Sequence, residues 1–277
     1  MKNNLIDNSL KINWFPGHMK KATDELISIA KNVDLIIEVI DARAIQSSSN
    51  QEITKIFQQK PILKIALKTD YSIVNNSNSD EILFVSLKEK KFKNLIIKKI
   101  YEIFDKKIQK DKIKGLVVPK YTILVVGLPN IGKSSLINYL KNKNILKVQN
   151  YPGVTKKQQL VSINKNFDII DTPGILFKKI DDINIGYKLV LINCIKKEVV
   201  TLDHVLRFGF NHFYKNHFNS LLNYYKLQDI KNYDDFVQQV CLSKKWITKD
   251  NVFDINRFES QIFNDFSLGK ICKTNFD

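Results

Sequence analysis

The sequence predicts an α/β domain with a mostly parallel sheet covered by helices on both faces, followed by a small all-α domain. Two observations carry this expectation. Through the first two thirds of the chain, apolar runs of four to eight residues alternate with helical patterns, as strand–helix units require. From about Ile180 onward the pattern is helical only, with stripes of Phe, Tyr and Leu.

In order, the expected strands are Leu35–Ile40, Ile62–Leu67, Ile82–Val85, Thr122–Val126, Leu160–Ile163 and Phe167–Ile170, each short, apolar and rich in β-branched residues. Helical spacing marks about 19–31, 50–58, 92–110, 133–141 and 182–196. The aromatic stripes then mark Leu202–Tyr214, Phe218–Tyr225, Tyr233–Lys244 and Ile255–Phe266. The change of pattern divides the chain into residues 1–178 and 179–277, with the boundary near Phe177–Asp181. Asn75–Asp80, all Asn, Ser and Asp, reads as an exposed loop.

Composition narrows the function classes. The chain has 277 residues, 44% of them hydrophobic, which is too apolar for a disordered polymer. Its net charge of +16 points to a polyanionic partner, nucleic acid or an anionic membrane. No apolar run approaches the roughly 20 residues of a membrane-spanning helix, and Met1–Leu5 does not open a signal peptide. Cys194, Cys241 and Cys272 are far apart, so neither a disulfide framework nor a Cys-rich zinc site is expected, and a reducing cytoplasm fits.

The charge is concentrated in residues 1–177, which carry +13, against +3 for residues 178–277. Twelve lysines lie from Lys88 to Lys120, opposite four acids. There Leu95, Ile96, Ile100, Ile103 and Phe104 form one apolar helix face, leaving the lysines on the other. That face reads either as ordinary solvated surface or as a contact for a phosphate backbone.

The chemistry enters with Gly127-Leu-Pro-Asn-Ile-Gly-Lys133-Ser134, which fits G-x-x-x-x-G-K-[ST] between a strand and a helix. In such a loop the backbone N–H groups of Asn130, Ile131, Gly132, Lys133, Ser134 and Ser135 face phosphates at a helix N-terminus. Lys133 supplies a point charge, and the Ser134 hydroxyl is suited to Mg²⁺. About forty residues on, Asp171-Thr172-Pro173-Gly174 closes an apolar run. A carboxylate there suits the Mg²⁺ shell, and the Gly174 N–H suits the γ-phosphate. Thr155, in Pro152-Gly153-Val154-Thr155 between these two, suits a loop that closes on the metal.

A guanine site needs a carboxylate to accept from the base, commonly in N-K-x-D. No such tetrad follows Gly174; Leu67-Lys68-Thr69-Asp70 precedes the phosphate loop, followed by Val85-Ser86-Leu87-Lys88. These resemble the fourth and fifth GTPase motifs, so Lys68, Asp70, Ser86 and Leu87 are the candidate base-binding residues. The motif order 4-5-1-2-3 describes a circularly permuted P-loop GTPase domain.

With Trp14-Phe15-Pro16-Gly17-His18-Met19, Asp41-Ala42-Arg43, the phosphate loop, Pro152–Thr155 and Asp171–Leu176 together, the chain resembles the ribosome biogenesis GTPase A family over nearly its whole length. The resemblance implies binding of GTP and GDP with Mg²⁺. It also implies hydrolysis stimulated by the large ribosomal subunit, and contact with rRNA and ribosomal proteins during late assembly. A monomer in the cytoplasm, away from membranes, is expected. Two departures stand out: Leu67 occupies the Asn position of N-K-x-D, and Ile175 occupies the place where many GTPases have a water-orienting Gln. The resemblance carries that duty to His18, which on its own spacing reads equally as a loop residue or helix cap. Asn130 resembles the residue that holds K⁺ in related GTPases, and by itself suits a tight turn. The rival expectations are an rRNA-binding assembly placeholder that barely hydrolyses GTP, and an ATP-using assembly factor.

Overall fold

A computed structural model describes residues 27–29, 31–73, 81–116, 119–143, 145–146, 159–172, 174, 180 and 182–277. His18, Thr155, the Pro152–Thr155 motif, the Asn75–Asp80 loop and most of the helix expected at 19–31 lie outside these residues. A six-stranded sheet forms from β1 (Leu35–Asp41), β2 (Ile62–Leu67), β3 (Ile82–Val85), β4 (Tyr121–Gly127), β5 (Gln159–Ser162) and β6 (Phe167–Asp171), in the order β3-β2-β1-β4-β6-β5. All pairings are parallel except β5 with β6 at the edge.

The central strands are buried on both faces, which is why they read as unbroken apolar runs rather than alternating ones. On one face Leu35, Ile37, Val39, Ile123 and Val125 pack with Ile96, Ile100 and Phe104 of α3 (Lys91–Ile113) and Leu136 and Ile137 of α4 (Lys133–Lys141). On the other, Ile36, Leu124 and Val126 meet Ile53 of α2 (Gln51–Ile56) and Phe57 just beyond it. Glu38 breaks the apolar run of β1, and one of its carboxylate oxygens is hydrogen-bonded while Lys64 Nζ lies 3.8 Å from the other. Glu38 Oε1 accepts from the Asn50 N–H at 2.8 Å and the Ser49 hydroxyl at 3.1 Å, where α2 begins.

Strand ends moved by one residue or less, apart from the small helix α1 (Ile45–Ser48), which the sequence pattern does not announce. The helix expected at 92–110 runs to Ile113, its last turn tied by the Tyr121 hydroxyl to Asp111 at 2.9 Å. The expectation of one helix over 182–196 is corrected: α5 is Ile183–Leu191, and a short 3-10 turn follows at Lys197–Val199. Asn193 takes left-handed backbone (φ 63°), and the Cys194 N–H bonds back to the Leu189 carbonyl at 2.8 Å, so the chain turns inward. The remaining helices are α6 (Leu202–Asn216), α7 (Phe218–Tyr225), α8 (Tyr233–Lys244) and α9 (Ile255–Ser267).

Phe210, Phe213, Phe236, Phe258 and Phe266 bury the aromatic stripes of these helices as a packed interior rather than an exposed stacking platform. This interior is continuous with the α3–α4 side of the sheet. Among the described residues, no helix is long and apolar enough to cross a membrane. α6 packs closely on α9: a Cβ on Gly209 would fall 2.6 Å from Cδ2 of the fully buried Phe266. Gly209→Ala gains about 1 kcal/mol of helix propensity, but overpacking a closed core costs about 1–3 kcal/mol. The expected outcome is a lower melting temperature by calorimetry, and a higher one would show that the Phe266 ring gives way.

Candidate functional site

Chain order explains where the site lies. From β1 the chain moves outward to β2 and β3, then returns to place β4 on the opposite side of β1. In an open parallel sheet, such a reversal leaves a crevice beyond the carboxyl ends of the two strands. Register brings the relevant residues to that end: Val39 pairs with Gly127, Asp41 with Leu67, Leu67 with Val85, and Val125 with Asp171. The permuted motif order therefore leaves no trace in space, because strand neighbours are set by pairing and not by chain order.

The phosphate loop is held in shape by backbone and by Lys133. Gly132 has φ 116°, and a Cβ there would sit 2.9 Å from Leu67 Cδ1. Asn130 is left-handed at φ 53°, and its Nδ2 donates to the Asn193 carbonyl at 3.0 Å. Ile131 is buried and Ser135 half-buried in the first turn of α4. Lys133 is buried and donates to the Gly127 and Leu128 carbonyls at 3.1 and 2.9 Å. Burial pushes its ammonium down to about 8, against the opposing pull of Asp171 and Cys194.

Asp171 ends β6 beside this loop. The Ser134 hydroxyl donates to its Oδ2 at 2.6 Å, while Oδ1 is buried with no hydrogen-bond partner among the described residues. Burial raises the carboxyl, and the Ser134 bond and Lys133 charge oppose that rise. A hydroxyl and a carboxylate with spare lone pairs form the oxygen donor set that Mg²⁺ takes. The neighbouring Thr172 hydroxyl donates to the Val125 carbonyl at 2.7 Å, fixing the exit of β6. Gly174 then passes so close to the loop that a Cβ would lie 2.3 Å from Pro129 Cα. Only glycine lets that backbone approach.

The base-loop residues gather past β2 and β3. Ser86 is buried, and its hydroxyl donates to Asp70 Oδ1 at 3.4 Å. Leu87 is half-buried against the core. Asp70 Oδ2 is paired with Lys88 Nζ at 2.5 Å, and the ammonium also reaches the Tyr71 hydroxyl at 3.1 Å. Those two hydrogen bonds raise the Lys88 ammonium above its ordinary range. Being exposed, Lys88 gives up the pair at little cost. Lys68 is left-handed (φ 64°) and turns inward to Asp41, 2.9 Å from Oδ2. Leu67, in the Asn position, is fully buried and packs beneath the phosphate loop at Gly132.

Sequence reasoning missed three contributors. Asp41 and Arg43, to which the Asp41-Ala42-Arg43 motif assigns no role, form a fully buried pair. The Asn193–Cys194 turn reaches the phosphate loop from the helical half. Residues 274–276 return to the β1 and β2 ends through Phe276 N–H to the Arg43 carbonyl at 2.7 Å and Thr274 N–H to the Tyr71 carbonyl at 3.0 Å. No residue pattern announces a contact across that sequence distance. His212 and His217 share the Thr274 hydroxyl at 2.6 and 3.1 Å. Burial, with His217 and Lys188 nearby, pushes His212 down to about 4.

The Lys133 position has a measurable consequence. A bound phosphate favours the ammonium, so its value rises in the complex above the about 8 of the free protein. Protonated free protein becomes scarce first as pH rises, so the Kd for GDP increases from about pH 7 to about pH 9, approaching tenfold per unit. Calorimetric titration in buffers of different ionisation enthalpy reads the linked proton uptake, and a flat Kd would refute the linkage.

A family model described as 50S ribosome-binding GTPase matches residues 122–236. The protein named probable ribosome biogenesis GTPase A in Mycoplasma pneumoniae is 44% identical over 97% of each chain. Ribosome biogenesis GTPase A of Bacillus licheniformis is 36% identical, over 79% of this chain and 81% of its own. Among solved structures, GNP-bound YlqF from T. maritima superposes with a TM-score of 0.62 at 21% identity, covering 93% of this chain and 97% of that one.

Proposed function

The chain belongs to the ribosome biogenesis GTPase A family, and on that premise we propose that it hydrolyses GTP while bound to an immature large ribosomal subunit, which stimulates the reaction. The observation that carries this reading is the convergence of Gly127–Ser134, Asp171 and Asp70 at the carboxyl end of the sheet, at its switch point. In this reading the residue 1–178 portion carries the chemistry, and residues 179–277 form the helical portion that contacts rRNA and ribosomal proteins. The protein acts as a cytoplasmic monomer.

The roles follow from donors and charges. Backbone N–H groups of 130–135 and the Lys133 ammonium hold the phosphates, with Lys133 leaving the two carbonyls it now bonds. Ser134 and Asp171 would hold Mg²⁺, joined by Thr155, and the ion supplies positive charge against the triphosphate. The Gly174 N–H meets the γ-phosphate. Asp70 accepts from the guanine edge once Lys88 moves aside, with Lys68, Ser86 and Leu87 lining the base site. Guanine is read without the Asn amide, since Leu67 is committed to the packing under Gly132.

His18 orients the attacking water, a duty Ile175 has no polar atom to perform. Asn130 would hold K⁺ through its Oδ1, since its Nδ2 already donates to the Asn193 carbonyl. That ion supplies charge where other GTPases use an arginine finger.

Steady-state hydrolysis of GTP and ATP in K⁺, with and without large subunits, tests the reading. Strong stimulation confined to GTP is expected; tight subunit binding without stimulated turnover, or comparable ATP turnover, would overturn it. His18→Ala is expected to lower the stimulated rate by about a hundredfold or more with nucleotide affinity unchanged. Replacing K⁺ by Na⁺ is expected to slow the reaction, and equal rates would remove the assignment of Asn130.

A further inference from the structure

Asp41 lies at the carboxyl end of β1 with no solvent exposure, and Arg43 grips it from three directions. Arg43 Nε donates to Oδ1 at 2.9 Å, Nη2 to Oδ2 at 2.8 Å, and the Arg43 backbone N–H to Oδ1 at 3.0 Å. Lys68 completes the set from the loop that carries Asp70. A buried pair of this kind is often no more stable than apolar residues of the same volume. Its retention here calls for a use, and neither side chain belongs to the phosphate or metal sets.

The geometry around the pair supplies one. The remaining Arg43 nitrogen, Nη1, donates to the Ser267 carbonyl at the end of α9 at 2.5 Å. The Arg43 carbonyl accepts from Phe276, and the Tyr71 carbonyl from Thr274. The Ser72 hydroxyl donates to the Ala42 carbonyl at 2.7 Å, and Gly269 packs where a Cβ would meet the Tyr71 ring at 3.0 Å. The loop 68–72 is therefore held on both sides of Asp70. Lys68 is anchored before it by Asp41; Tyr71 and Ser72 are anchored after it by residues 42, 269 and 274.

We propose that Asp41 and Arg43 are positioning residues for base recognition, which set the place of Asp70 through Lys68 and tie that place to the helical half through Ser267, Thr274 and Phe276. The proposal rests on the reading of Asp70 as the guanine-binding carboxylate. It makes base selectivity, rather than phosphate binding, the property that depends on the buried pair and on a segment more than two hundred residues away in sequence.

The test uses the full chain and compares dissociation constants for GDP and ADP, with circular dichroism to verify folding. Arg43→Gln breaks the pair. Phe276→Ala leaves every loop side chain in place and loosens the returning segment, so it decides the matter where Arg43→Gln fails to fold. In folded variants the preference for GDP over ADP is expected to fall about tenfold or more, as for the loss of a charge-assisted hydrogen bond, while ADP affinity stays constant. Arg43→Lys, which keeps the charge, is expected to restore part of the preference. An unchanged preference, or equal losses for GDP and ADP, would overturn the proposal. Asp70→Asn separates this from the underlying reading: exchange of GDP for xanthosine diphosphate is expected if Asp70 reads the base. No exchange defeats that reading, and the proposal with it. Exchange alongside unchanged preference in the other variants defeats the positioning proposal alone.

Discussion

A carboxylate cannot stay charged inside a protein unless opposite charge and hydrogen bonds replace the water it has lost. Asp41 meets that requirement. Burial alone would drive it neutral, yet Lys68 and Arg43 hold it well below the usual carboxylate range. The two cations come from different directions, one from the base loop and one from the turn after β1. Satisfying this charge thus fixes the backbone between β1 and β2. Arg43 Nη1 then donates to the Ser267 carbonyl of the helical half, so sheet, base loop and helices are ordered around one buried group.

The phosphate end shows the same economy of approach. Lys133 is buried, and its ammonium is bonded to the Gly127 and Leu128 carbonyls of its own loop. Glycines at 132 and 174 permit contacts that a single methyl group would block, one against Leu67 and the other against Pro129. Leu67 illustrates what replaces a polar group at such a position. The space beneath Gly132 is filled by the apolar Leu67 side chain.

The helical half is more than an appendage. Its Asn193 carbonyl holds the Asn130 amide, and residues 267, 274 and 276 hold the β1 and β2 ends. The Thr274 hydroxyl is itself shared by two imidazoles of the helical half. With His212 pushed down to about 4, its ring is neutral near pH 7 and acts as a hydrogen-bonding partner rather than as a charge. The helical half thus meets the nucleotide end through backbone carbonyls and N–H groups, whose identity no side-chain pattern records.

Local chemistry was legible in the chain itself. Apolar runs marked the strands because a parallel sheet covered on both faces tolerates no alternation, and G-x-x-x-x-G-K-[ST] marked the phosphate loop because few other patterns let backbone N–H groups converge. The permuted order was also readable, since the motifs at Leu67–Asp70, Val85–Lys88, Gly127–Ser134 and Asp171–Gly174 each sit at the end of a strand of their own. What required tertiary structure was every contact between distant segments: the inward turn at Asn193 in place of a continuing helix, the roles of Asp41 and Arg43, Leu67 under Gly132, and the return of residues 274–276 to the base loop. Periodicity reports which face of an element is buried, but not against what. Those partners were decided only when the sheet order and the shared core brought β1, β2, α5 and α9 to the same end of the molecule.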